Sequence, residues 1–295
     1  MTVTAPSPVL DVATWQSLAA AHAERADAFT AGRRERRSRQ QKHAIEDFLF
    51  EYYPVTPAAL RRWHPGVGVA LDTPAPHTEW RWYRTADGTV TLDVDAFLAD
   101  RGDALRFIHG LLSATLGRPA LTGCFGLHEW AMVYRETDEH RHPLPLRLGP
   151  DGTDAVVETH KIRCTHFDAY RFFTPDAVEL NTLRPTRGSM TAMEQPGCLH
   201  AGMDVYKWAT KLGPAVPGDL LLDCFELARD IRTLDMQASP YDVTSYGLDP
   251  VTIETPEGKA EYVARQRGFA ERGNLLRARL VEVCERVLRP AVLTS

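Results

Sequence analysis

Residues 194–213 read EQPGCLHAGMDVYKWATKLG, which sets Glu194, Cys198, His200, Asp204 and Lys207 among aromatic and aliphatic neighbours. A charged side chain in such company tends to be buried, and a buried charge is costly unless it is paired, neutralised or bound to an ion. Three further segments share this character: HEWAMVYRE from His128, THFDAYRFFTPDAVELNTLRPTR from Thr165, and ELARDIRTLDMQASPYD from Glu226.

Three chemistries fit these residue types. His200 and Asp204 stand four apart, one face of a helix, and His166-Phe167-Asp168 has the His-x-Asp spacing of some mononuclear iron sites. His166, Asp168, His200 and Asp204 are therefore a candidate ligand set for iron, manganese or zinc, beside a reading with no cofactor at all. General acid or base work is open to Asp168, Glu194, Asp204, Glu129 and Asp235, desolvated by Trp130, Tyr170, Phe172, Tyr206 and Trp208. Nucleophilic catalysis falls to Cys198, close to a helix start, with His200 two residues on. Each has a plain structural counterpart: a hydrogen-bonded polar cluster, ion pairs on a helix surface, a small buried hydrophobe.

Arg171, Arg184, Arg187 and Arg232 add planar forks that match phosphates or carboxylates, so they suit an anionic substrate or the acids just named. Asn181 and Pro185 mark a loop between them, where binding groups are common. No glycine-rich phosphate loop, dinucleotide fingerprint, Gly-x-Ser-x-Gly elbow or His-Glu-x-x-His helix occurs.

The elements that must position these groups are mostly helices. Helical spacing runs from Asp11 to about Gln41, from about Val94 to Leu116, and through PGCLHAGMDVYKWATKL and PGDLLLDCFELARDIRTLDMQ. A last long helix, from Pro256, is expected to be interrupted by Gly268 and Gly273. TPAALRRWHPG opens a short helix with Thr and Pro at its start. WRWYRTADGTVTLDV reads as a hairpin around Asp87-Gly88. LTGCFGLHEWAMVYRE reads as a buried helix, ETDEHRHPLPLRLGPDG as a polar loop, and IRCTHFDAYRFF alternates like a strand. The fold class is α+β, predominantly helical, with a small β-hairpin or sheet. Residues 1–41 form an N-terminal helical arm and 42–295 a single mainly helical catalytic domain.

With 295 residues, 44% of them hydrophobic, a substantial core is expected. No run of about eighteen apolar residues and no secretory start are present, which predicts a cytoplasmic protein with no membrane contact. The five cysteines show no Cys-x-x-Cys pair and are expected to be reduced. A formal charge of −5 disfavours a broadly basic surface, leaving RRERRSRQQK, with Arg33–Arg39, as a local DNA-contact candidate or a solvated helix face.

The segments FGLHEWAMVYR, THFDAYRFFTP, EQPGCLH, MDVYKWA, DCFELARDIR and LDMQASPYD, with KHAIEDFLFEYYP, LRRWHPG and IETPEGKAEYVARQRGFAERG, carry a resemblance. From about residue 10 to 290 the chain resembles an actinobacterial family labelled 3-methyladenine DNA glycosylase. The resemblance implies hydrolysis of the N-glycosidic bond to an alkylated purine, in DNA after base flipping or in a nucleoside or nucleotide. A methylated cationic purine leaves readily, so such an enzyme needs an aromatic pocket and a carboxylate. Tyr170, Phe172, Tyr206 and Trp208 are then stacking candidates and Asp168 or Asp204 the carboxylate, with Glu194, His166 and His200 beside them. Arg171, Arg184 and Arg187 would hold phosphates, and Asn181, Lys207 and Glu129 complete the substrate-facing set. The alternatives are a metal-dependent, non-haem enzyme acting on a small anionic metabolite, and a non-catalytic nucleic-acid-binding protein.

Overall fold

The computed structural model describes residues 8–136 and 142–289. Its helices are α1 (Val12–Ser38), α2 (Phe48–Tyr52), α3 (Pro57–Leu60), α4 (Val94–Leu116), α5 (Leu127–Ala131) and α6 (Gly149–Thr159). There follow α7 (Phe167–Tyr170), α8 (Pro175–Val178), α9 (Met190–Met193), α10 (Leu199–Leu212), α11 (Gly218–Gln237) and α12 (Pro256–Leu288). Four strands, β1 (Val9–Leu10), β2 (Ala70–Asp72), β3 (Tyr83–Ala86) and β4 (Thr89–Leu92), pair in the order β1-β2-β4-β3. The fold is a predominantly helical α+β one.

Local chemistry explains the boundaries. Asp11 accepts the Thr14 N–H to start α1, Thr56 accepts that of Ala59 to start α3, and Thr255 accepts that of Gly258 to start α12. Pro57 and Pro256 occupy first helical positions, where no N–H is needed. Asp87 and Gly88 both have positive φ, 50° and 75°, which matches the twist of the β3–β4 ribbon and registers Tyr83 opposite Leu92. The β1–β2 pair is parallel and the other two antiparallel.

α10 and α11 form the centre, packed on each other and on α12, and α4 packs along α12. α10 is buried on almost every face; only Lys207 and Thr210 are half-buried and Lys211 exposed. α1 is no free-standing arm: Trp15, His22, Ala26 and Thr30 form one buried stripe, and the helix packs on α11, α3 and β2. Its residues 1–7 lie outside the described residues.

Three sequence expectations are corrected. α12 runs unbroken through Gly268 and Gly273, because Tyr262, Gln266, Ala270, Arg277, Leu280 and Cys284 keep one stripe buried and offset the helix cost of the glycines, about 1 kcal/mol each. IRCTHFDAYRFF is not a strand: Ile162 makes an isolated bridge to Asn181, and Phe167–Tyr170 turn as a helix. The Asn181 amide takes up the Cys164 backbone N–H and C=O, leaving no edge for a neighbouring strand. The helix expected over LTGCFGLHEWAMVYRE shrinks to α5, since Phe125, Gly126 and Arg135 adopt φ of 48°, 71° and 51°. The polar loop after Glu136 lies partly outside the described residues.

Candidate active site

Glu194, His166, Asp204 and Lys207 meet beneath the surface, carried by three segments. His166 is the residue before α7, Glu194 follows α9 in extended conformation, and Asp204 and Lys207 project from adjacent turns of α10. His166 Nε2 stands 3.3 Å from Asp204 Oδ2 and 3.6 Å from Glu194 Oε1. All three are at most 2% exposed. Tyr53 donates its hydroxyl to Asp204 Oδ1 at 2.8 Å, and Lys207 Nζ donates to Asp204 Oδ2 and to Asp168 Oδ2, both at 2.8 Å.

The strand of chain carrying Glu194 is clamped from outside. Arg118, just past α4, donates to the carbonyls of Glu194 and Thr191 at 2.9 and 2.7 Å. Gln266 of α12 donates to the Gly197 carbonyl at 2.6 Å, and Arg277 to that of Ala201 at 3.1 Å. Gly197 packs so tightly on Leu121 that a Cβ there would lie 2.4 Å from the Leu121 carbonyl oxygen. Glycine is the residue that permits this approach.

Electrostatics differentiates the acids. Burial disfavours the charged form of Asp204, but Lys207 and His166 outweigh it and hold the carboxyl well below its ordinary range. Glu194 has no direct cation, so burial pushes it up to about 7 against the pull of His166. Burial works to lower His166, yet the close approach of the Asp204 carboxylate and the charge of Glu194 raise it. His200 is pushed well below its ordinary value by burial, with His128 and His166 adding to the effect.

A second cluster adjoins the first through histidine rings. His200 lies 5.4 Å from His166 and 4.4 Å from His128 between ring centres. His128 Nε2 is 2.9 Å from Asp235 Oδ1, and Arg232 Nη1 donates to Glu129 Oε1 at 2.9 Å and Asp235 Oδ2 at 2.8 Å. Among the described residues two groups have metal-ligand proximity, each with donor atoms within 4.8 Å of one another: His166, Glu194 and Asp204; and His128, Glu129, His200 and Asp235.

Above Asp168 and Lys207 the surface opens into two adjoining clefts of about 460 and 620 Å³ that share Arg101, Asp168, Lys207 and Lys211. Phe107, Phe167 and Trp208 wall the first; Tyr52 and Phe172 line the second. Phe107 is 45% exposed, with its ring 6.1 Å from that of Trp208. Arg101, Arg187 and Lys211 form no salt bridge among the described residues, so the first cleft carries an excess of positive charge, while Glu51 adds a carboxylate to the second.

The structure brings together His166, Glu194 and Asp204, sets Asp168, Arg171, Phe172, Arg187, Lys207 and Trp208 at the clefts above, and separates the rest. In the proposed ligand set, Asp168 stands apart, bound to Lys207 and 3.2 Å from Arg171, and Glu194 takes its place; His200 lies toward the second cluster. Tyr206 has no face to offer a substrate, being wholly buried against Tyr53 and Phe225. Tyr170 packs edge-on against Phe173. Asn181 is a backbone staple, Arg184 pairs outward with Glu179 at 2.8 Å, and Glu129 is consumed by Arg232. Burial pushes the Cys198 thiol up, away from a nucleophile. In the basic run, Arg33 and Arg36 pair with Asp47, Arg34 with Asp27 and Arg39 with Glu35.

Tyr53, Arg101 and Phe107 escaped sequence reasoning. Tyr53 carried a weak signal, one of two adjacent tyrosines before a proline; Arg101 and Phe107 sit on a helix whose pattern looks ordinary. No protein-family model matches the chain, and no curated protein or solved structure matches it significantly. Function is therefore argued from the chemistry of the site.

Proposed function

We propose that the protein is a hydrolase that releases a modified purine by cleaving its N-glycosidic bond, in a nucleotide or in a nucleotide flipped from DNA. The observation that supports it is the shared floor of the two clefts: Asp168, positioned by Lys207, lies between aromatic walls and cations that form no salt bridge among the described residues. Phe107, Phe167 and Trp208 offer rings to a purine, and a cationic alkylated base gains from their faces. Arg101, Arg187 and Lys211 suit its phosphate. As the bond breaks, positive charge grows on the sugar, and the Asp168 carboxylate is placed to stabilise it or to orient water.

The test is release of free base from methylated DNA and from a methylated purine nucleotide, followed by chromatography. Asp168→Asn should lower the rate by about 100-fold or more with an unchanged melting temperature, a loss typical of one positioned electrostatic or acid–base group. Trp208→Ala should act mainly on KM. Release of no base from any alkylated substrate ends this reading.

A second reading, a metal-dependent enzyme on a small anionic metabolite, is favoured by the His166–Glu194–Asp204 cluster below the same clefts. The two part on chelation: base release that survives exhaustive chelator treatment belongs to the first.

A further inference from the structure

Hydrogen bonding does not account for the geometry around His166. The ring is fully buried, yet neither of its nitrogens has a hydrogen-bond partner among the described residues, and Glu194 Oε1 and His200 Nδ1 also lack one. Native interiors rarely leave such groups unmet, and each one asks what is missing. The spacing answers in part. N–H···O bonds centre near 2.9–3.0 Å, whereas His166 Nε2 stands 3.3 and 3.6 Å from two carboxylate oxygens. A tetrahedral ion with N and O ligands at about 2.0–2.2 Å holds neighbouring donors about 3.3–3.6 Å apart.

The adjoining cluster makes a contrast within the same molecule. Arg232 lies between Glu129 and Asp235, and His128 bonds Asp235, so the two carboxylates there already have cations at hydrogen-bond distance. The carboxylates of that group are compensated without an ion. Around His166, the cation Lys207 reaches Asp204 from the cleft side but does not contact Glu194.

We propose that His166, Glu194 and Asp204 bind one divalent transition-metal ion, iron, manganese or zinc, with His200 as the nearest further nitrogen donor. The mixed imidazole and carboxylate set suits these ions over calcium or magnesium. Asp204 keeps its Tyr53 and Lys207 hydrogen bonds, which orient the ligating oxygen as outer-shell partners commonly do. The inference stands on donor geometry and does not require the substrate reading: base release can fail while the ion binds, and the reverse.

The experiment uses the full chain, purified without chelator. Elemental analysis should find close to one equivalent of iron, manganese or zinc, and protein stripped by chelator should take up one cobalt(II) with visible absorption bands of nitrogen and oxygen ligation. Glu194→Gln, nearly isosteric and safe for folding, should weaken metal affinity by about 10-fold or more, and His166→Ala should abolish binding. His128→Ala should leave the stoichiometry at one. Uptake of none of the four metals by a folded protein overturns the proposal. So does metal that survives His166→Ala and Glu194→Gln but is lost in His128→Ala, which would place it in the neighbouring cluster.

Discussion

Arg232 shows how one residue can hold a charged interior together. It is 1% exposed, donates to Glu129 and Asp235, and lies 3.9 Å over the Phe48 ring. Its removal leaves two buried carboxylates without their cation. Arg232→Met should therefore cost about 3–5 kcal/mol in urea unfolding, and a loss under 1 kcal/mol would mean that water or His128 takes over. At this scale the sequence was partly legible. Residue types and apolar neighbours pointed to His166, Glu194, Asp204 and His200, because burial of polar groups leaves that local mark. Nothing local said that Lys207 would reach both Asp204, three residues away, and Asp168, thirty-nine away. That contact withdrew Asp168 from the ligand set and made room for Glu194. Tyr206 misled for a related reason: an aromatic beside an acid looks like a binding face until a central helix buries all its sides.

Among the elements, α12 gives a clean test of glycine's two roles. A Cβ at Gly268 meets nothing within 4 Å, so Gly268→Ala should raise stability by about 0.5–1 kcal/mol through helix propensity alone. Gly197→Ala goes the other way. Its Cβ would collide with the Leu121 backbone, displacing the turn that carries Glu194 into α10, and a melting temperature equal to wild type would show the turn to be slack. The long helices and the hairpin were readable because periodicity, caps and the Asp-Gly turn are local signals. The short turns around α5 and α7 were not, since positive φ at Phe125 and an Asn181 amide standing in for a strand are settled by tertiary contacts.

For the molecule as a whole, the small sheet carries a lesser core of its own beside the main one, which Leu92 of β4 joins. Trp15, Trp63, Leu71, Ala75 and Val90 form the lesser one, and His22, His64 and His77 cluster around it. Burial pushes His64 down to about 3, with His77 adding, and burial lowers His77 and His22 as well. A histidine whose folded value is depressed stays neutral while the unfolded chain takes up a proton, so its stabilisation is complete above about 6.5 and is lost as pH falls below that. For His64 the slope is at most about 1.4 kcal/mol per pH unit. Hydrogen-exchange protection factors, each corrected for the intrinsic rate at its own pH, should then fall in α3, β2 and β4 at pH 5.5 relative to pH 7.5 while those of α10 and α11 hold; a uniform fall would contradict this division. Among the described residues no helix is long and apolar enough to cross a membrane. The clamp from Arg118, Gln266 and Arg277 has a consequence for descent with modification. These residues grip backbone carbonyls behind the cluster, whereas Arg101, Phe107 and Arg187 sit on the open side of the clefts. A substitution on the open side can therefore reshape what the clefts admit while leaving the buried groups gripped in place.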